Sequence, residues 1–135
     1  LITDAYSLMI VGYDVHQTLK KRGVMNALNK ALRRYGSPLM HHSDRGTQYC
    51  SRQYTQKLKS KGIRISMTED GNCYDNALAE RMNGILKDEF LLNQQFTDIH
   101  HARKALSQSV STYNNKRPHL RLNFKTPREI HSSEK

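Results

Sequence analysis

Leu39-Met40-His41-His42-Ser43-Asp44-Arg45-Gly46-Thr47 is the stretch on which the fold turns. Its first five residues read as a brief strand, and Asp44-Arg45-Gly46-Thr47 is turn chemistry. Asp44 is therefore set just past the C-terminal end of a strand, the edge of an α/β domain where functional side chains collect.

Upstream, Leu8 to Val15 is a short apolar run rich in strand formers, and Leu1 to Thr3 ends a preceding strand, with Ala5 to Ser7 as the hairpin turn. From Thr18 to Tyr35 the apolar positions Val24, Leu28, Ala31 and Tyr35 recur at helical spacing, with Gly36 and Pro38 as stop signals. Downstream, Ser51 can cap a helix running to Lys61, and Ile63 to Met67 alternates as a strand. A polar loop at Glu69 to Asn72 leads to a helix capped by Asp75 or Asn76, with the stripe Leu78, Met82, Ile85 and Leu86, ending near Leu92. The last helix starts at Thr97 or Asp98 and carries Ile99, Ala102, Leu106, Val110 and Tyr113; Pro118 follows it, and the remainder reads as a basic tail. Strands alternating with helices after a hairpin predict an α/β fold, a mixed sheet covered by helices.

A chain of 135 residues fits one domain with one core. The expected division is a core over 1–112 and a basic C-terminal extension over 113–135. No run approaches the roughly 18 apolar residues of a membrane span, so a cytoplasmic protein is expected. Cys50 and Cys73 stand singly, which excludes a zinc knuckle or a disulfide framework. Lys and Arg total 22 against 12 acidic residues, a formal net charge of +10 that suits a polyanion, nucleic acid first.

Glu80 falls in the first turns of a helix, and 35 residues lie between Asp44 and Glu80, enough for a helix, a strand and a loop to return the chain to the same edge. Converging carboxylates repel unless they hold cations, and hard oxygen ligands suit Mg²⁺, which takes phosphate oxygens as further ligands.

The blocks His42-Ser43-Asp44-Arg45-Gly46-Thr47-Gln48-Tyr49 and Gly71-Asn72-Cys73-Tyr74-Asp75-Asn76-Ala77-Leu78-Ala79-Glu80 resemble the two catalytic signatures of bacterial insertion-sequence transposases of the retroviral-integrase-like type. Tyr113-Asn114-Asn115, Arg117-Pro118-His119 and Thr126-Pro127 resemble that family's C-terminal signature, so the likeness covers nearly the whole chain. It implies a ribonuclease-H-like, three-layer α/β/α fold, with Asp44 and Glu80 as the second and third members of an Asp, Asp, Glu triad. It also implies two Mg²⁺ or Mn²⁺ ions in the complete site, homo-oligomers, and DNA as partner, both element ends and target. The implied reaction is hydrolysis of a phosphodiester at the element end, followed by attack of the freed 3′-hydroxyl on target DNA.

In that family the first catalytic Asp belongs to an opening strand, which this sequence lacks ahead of its hairpin. Asp4 is read as a turn residue accepting backbone N–H bonds. Two carboxylates are too few for two-metal catalysis, so the chain is expected to bind divalent metal weakly and to lack strand transfer by itself. Non-catalytic DNA binding or oligomerisation is the alternative from another class, and a ribonuclease of the same fold is a third.

Asn76, Asn83 and Lys87 share a helix face with Glu80 that can meet a phosphate backbone. Arg45 is positioned to contact a phosphate or to hold Asp44, and a positive φ is expected at Gly46. Asn115 and Arg117 are candidates for DNA contact. His41 and His42 point to opposite faces of a strand, and His100 and His101 diverge on a helix, so all four are read as structural.

Overall fold

A computed structural model describes residues 1–16, 21–68 and 77–133. The chain forms β1 (Ile2–Thr3), β2 (Ile10–Gly12), α1 (Lys21–Tyr35), β3 (Met40–Ser43), α2 (Arg52–Ser60), β4 (Arg64–Met67), α3 (Ala77–Asp88), α4 (Ile99–Lys116) and α5 (Pro127–Ser132), with a 3₁₀ turn at Leu120–Leu122. β1 pairs antiparallel with β2, and β3 pairs parallel with β4. Among the described residues no ladder joins the two pairs.

Two cores explain the layering. Ile10 of β2 packs with Met82, Ile85 and Leu86 of α3 and with Leu106, Val110 and Tyr113 of α4. Leu28 of α1, Tyr54 and Leu58 of α2, and Ile63 form the second cluster, against which Ile2 and Ile65 pack. Helices thus cover both faces of mixed β structure, the three-layer α/β/α arrangement, and Ile2 and Ile65 tie the two strand pairs to one helix layer.

The β1–β2 register shifts between Ile2 and Thr3, a bulge that breaks side-chain alternation. Ile10 therefore serves the α3/α4 layer while Gly12 faces α1. A Cβ added at Gly12 would stand 2.4 Å from the Ala27 carbonyl oxygen and 3.0 Å from the Ala31 Cβ. Only a glycine admits the helix this close.

β2 is shorter than the apolar run Leu8 to Val15. Leu8 takes a left-handed φ of 61°, and its two-residue partner β1 offers nothing beyond Gly12 to bond. Past that point Asp14 accepts from Asn26 Nδ2 at 2.9 Å, and the Tyr13 carbonyl accepts from Lys30 Nζ at 3.1 Å. Asp4 has the turn role: its Oδ2 accepts the Ser7 N–H at 3.0 Å and the Ser7 hydroxyl. Burial would raise its carboxyl pKa, but the two Ser7 bonds, with help from His131, bring it below the ordinary carboxylate value.

Gly36 ends α1 at φ 83°, as a helix stop should. Ser51 sits at the N-cap of α2, but its hydroxyl donates back to the Gln48 carbonyl at 2.7 Å and makes no capping bond. α3 stops at Asp88, short of Leu92, because Leu91 turns to φ 55°. The expected caps Asp75 and Asn76, the loop Glu69 to Asn72, and Thr18 lie outside the described residues. Asp98 caps α4, accepting the His101 N–H at 2.8 Å.

The segment after Pro118 is not a tail. Thr126 and Glu129 form a capping box, Pro127 starts α5, and α5 packs on α4. His131 reaches back to the hairpin turn, 3.3 Å from the Ser7 hydroxyl, and meets the Tyr35 ring edge-on. The boundary placed at 112 falls inside α4, so the extension begins within a helix rather than at a linker.

Candidate active site

β3 delivers Asp44 to solvent. Its carboxylate Oδ1 accepts the Gly46 N–H at 2.8 Å, an Asx turn that fixes the side chain. Gly46 has no positive φ; a Cβ there would lie 2.8 Å from that Oδ1 and push the carboxylate aside. Arg45 Nε donates to the Thr68 carbonyl at 3.0 Å, and Thr68 N–H donates to the Ser43 carbonyl at 2.9 Å. Arg45 thus stitches the turn after β3 to the end of β4.

Beneath the turn lies an aromatic platform. Tyr49 meets Tyr54 edge-on, and the buried Tyr54 hydroxyl is 3.1 Å from His41 Nε2. Burial, and then the nearby Asp44 charge, push the Tyr49 phenol up; burial lowers His41. On the opposite side of β3, the exposed His42 ring contacts the Ser66 and Thr68 hydroxyls at 2.9 and 3.3 Å. The two histidines are spent on β3 packing, one to each face.

Glu80 is exposed in the first turn of α3, whose buried stripe is Met82, Ile85 and Leu86. Asn83 and Lys87 are exposed on the same helix, and Asn76 lies outside the described residues. Asn115 and Arg117 form a separate group. Asn115 Nδ2 donates to the Ser111 carbonyl at 2.7 Å, and its Oδ1 accepts from Arg128 Nε at 3.2 Å. Arg117 makes a two-pronged ion pair with Glu89 at 2.6 and 2.5 Å. Those bonds, more than the opposing burial, hold the Glu89 carboxyl below its ordinary range.

Sequence reasoning missed Asn114. It is buried, its Oδ1 accepts the Ile10 N–H at 2.9 Å, and its Nδ2 donates to the Ile10 carbonyl at 2.9 Å. The amide occupies β2 as a neighbouring strand would. No local pattern announces a contact between residues 104 apart.

The donors fit a divalent cation in kind, since both candidate carboxylates are exposed hard oxygen ligands. Among the described residues no group of three His, Cys, Asp or Glu side chains converges.

Mixed β structure between helix layers, with an acidic turn at the C-terminal end of a parallel strand, defines an α/β fold of the ribonuclease-H type. Two matches to the integrase core domain family cover residues 1–73 and 61–127, and the chain belongs to that family. It is 38% identical over 129 residues to the Insertion element IS600 uncharacterized 31 kDa protein of Shigella sonnei, covering 93% of this chain and 47% of that one. It is 37% identical over 129 residues to the transposase for insertion sequence element IS629 of the same organism, covering 95% of this chain and 44% of that one. The chain therefore spans a little under half of each relative. The HTLV-2 integrase catalytic core domain, solved in complex with magnesium in a trimeric form, superimposes with a TM-score of 0.73 at 23% identity over 96% of this chain and 80% of that one. The fold is thus that of the integrase cores. Among the described residues no helix is long and apolar enough to cross a membrane.

Proposed function

We propose that this chain contributes the second and third carboxylates, Asp44 and Glu80, to a Mg²⁺- or Mn²⁺-dependent DNA cleavage and strand-transfer centre, working in a cytoplasmic homo-oligomer. The supporting observation is the Asp44 turn: an exposed carboxylate pinned through one oxygen at the end of a parallel strand. Bound there, the ion would supply Lewis acidity at a phosphate oxygen. The protein's own share is positional. Gly46 and Arg45 hold Asp44 at the strand end, and the packed stripe of α3 orients the face bearing Glu80, Asn83 and Lys87. That face and Arg45 are our proposed DNA contacts, with Asn76 as a further candidate on the same face. Asn115 and Arg117 are secondary candidates, because a phosphate would compete with Arg128 and Glu89 for them.

Calorimetric titration with Mn²⁺ tests the site. Wild type is expected to take up metal weakly and saturably, and Asp44→Asn, which keeps an oxygen for the Gly46 N–H, to lose that heat. In a Mg²⁺-dependent nicking assay the chain alone is expected to show no turnover; turnover would refute the insufficiency of two carboxylates. The absence of a three-ligand cluster among the described residues favours a second reading, a DNA-binding or oligomerisation module without catalysis. Identical metal isotherms for wild type and Asp44→Asn would install that reading instead.

Lys87→Glu is expected to weaken duplex binding and to lower the slope of log K against log salt by about one unit, the signature of one lost phosphate contact. Fluorescence anisotropy across a NaCl series checks it.

A further inference from the structure

The β3–β4 ladder runs in register from Met40↔Arg64 to Ser43↔Met67, which sets Thr68 opposite Asp44, one step beyond the last pair. In a parallel ladder a residue in that place bonds both neighbours of its partner, giving its N–H to the one before and taking an N–H from the one after. The first bond is present: the Thr68 N–H donates to the Ser43 carbonyl at 2.9 Å. The second is made by a substitute, because the Thr68 carbonyl accepts from the Arg45 side chain, through Nε, at 3.0 Å.

That exchange has a geometric consequence. The Asp44 carboxylate folds onto the Gly46 N–H at 2.8 Å, so the main chain is already turning out of the sheet at Arg45. A side chain that reaches back lets the backbone depart while the residues on both sides of Asp44 stay bonded to one residue. Thr68 thus brackets Asp44.

The Thr68 hydroxyl adds a further tie. Its Oγ1 donates to the Ser43 carbonyl at 3.3 Å and lies 3.3 Å from His42 Nε2, while His42 Nδ1 is 2.9 Å from the Ser66 hydroxyl. With its proton on Nε2, His42 donates to Thr68 and accepts from Ser66, so these bonds run in one direction, from Ser66 to the Ser43 carbonyl. That carbonyl belongs to the peptide unit joining Ser43 to Asp44, and Thr68 holds it with two donors.

We propose that Thr68 is a positioning residue for the Asp44 carboxylate, acting through Ser43 and Arg45 and touching no metal itself. The inference rests on the reading of Asp44 as a metal ligand given above, and adds the residue through which that ligand is held. Loss of a group that orients a metal ligand typically weakens metal binding by roughly 10- to 100-fold. Thr68→Val deletes the hydroxyl and keeps both backbone bonds, so the lower figure is expected.

The test reads Mn²⁺ affinity from the electron paramagnetic resonance signal of the free ion, and, without metal, the hydrogen exchange of the Gly46 amide by NMR. Thr68→Val is expected to weaken Mn²⁺ binding by roughly 10-fold and to speed exchange at Gly46. Thr68→Ser, which keeps the hydroxyl, should restore both readings. Arg45→Lys, which keeps the charge and loses the Nε–H, should shift both in the direction of Thr68→Val. Thr55→Val is the control: it deletes a half-buried threonine hydroxyl in α2 that bonds the Ser51 and Arg52 carbonyls at 3.2 Å, and both readings should stay at wild type. A Thr68→Val affinity equal to that of wild type overturns the proposal, as does an equal loss in Thr55→Val, which would reduce the effect to stability. If Asp44→Asn still loses metal in either case, only this inference fails. If wild type takes up no Mn²⁺, the metal reading fails, and Gly46 exchange alone decides whether Thr68 holds the turn.

Discussion

Asn114→Ala is expected to remove about 2–5 kcal/mol of folding stability, because each buried backbone group left unpaired costs roughly 1–3 kcal/mol and this change orphans two. The Ile10 N–H and carbonyl are both satisfied by the Asn114 amide, at 2.9 Å each, and Ile10 is only 2% exposed. Folded domains have about 5–15 kcal/mol in total, so the variant should lose a large part of its urea midpoint. Asn115→Ala, one residue on and exposed, should change stability by about 0.5 kcal/mol or less. Near-equal midpoints for the two variants would show that the amide is not what closes the edge of β2. The same experiment bears on the C-terminal signature. Tyr113 donates to the Leu8 carbonyl at 3.0 Å and Asn114 clips Ile10, so two of that signature's residues maintain the hairpin rather than touch DNA.

What the sequence made legible follows from distance along the chain. α1, α3 and α4 announce themselves by apolar spacing, and Asp98 by its place ahead of the stripe, since those signals are local. The turn at Asp44 is equally local, and two residues suffice to show it. Thr126-Pro127-Arg128-Glu129 carried a readable capping box, yet its basic surroundings suggested a tail; a cap followed by a turn of helix was the stronger signal. The Asn114 clip, the Tyr113 bond to Leu8 and the contact of His131 with Ser7 join residues 104, 105 and 124 apart, where no periodicity operates. Arg117 illustrates the same limit at the site. A basic residue beside Pro118 reads as a phosphate ligand until Glu89, 28 residues away, is found to hold both of its prongs.

Gly12→Ala is expected to cost about 3 kcal/mol or more, at the upper end of what overpacking usually does. The new methyl would meet the Ala27 carbonyl oxygen at 2.4 Å, the Ala31 Cβ at 3.0 Å and the Ala27 carbonyl carbon at 3.1 Å. Helix backbone cannot rotate out of the way as a side-chain tip can, so α1 must lift as a unit. Lifting α1 draws Val24, Leu28 and Leu32 away from Tyr54, Leu58 and Ile63, and the second core opens with it. Gly62→Ala separates space from conformation: Gly62 has φ 69° but no atom within 4 Å, so its substitution carries only the left-handed penalty of about 1–2 kcal/mol. Urea denaturation of both variants is the measurement, with dye binding to exposed apolar surface as a second readout. Gly12→Ala should unfold at the lower denaturant concentration and bind more dye. A Gly12→Ala midpoint at or above that of Gly62→Ala would mean that α1 does not rest on β2 at this distance.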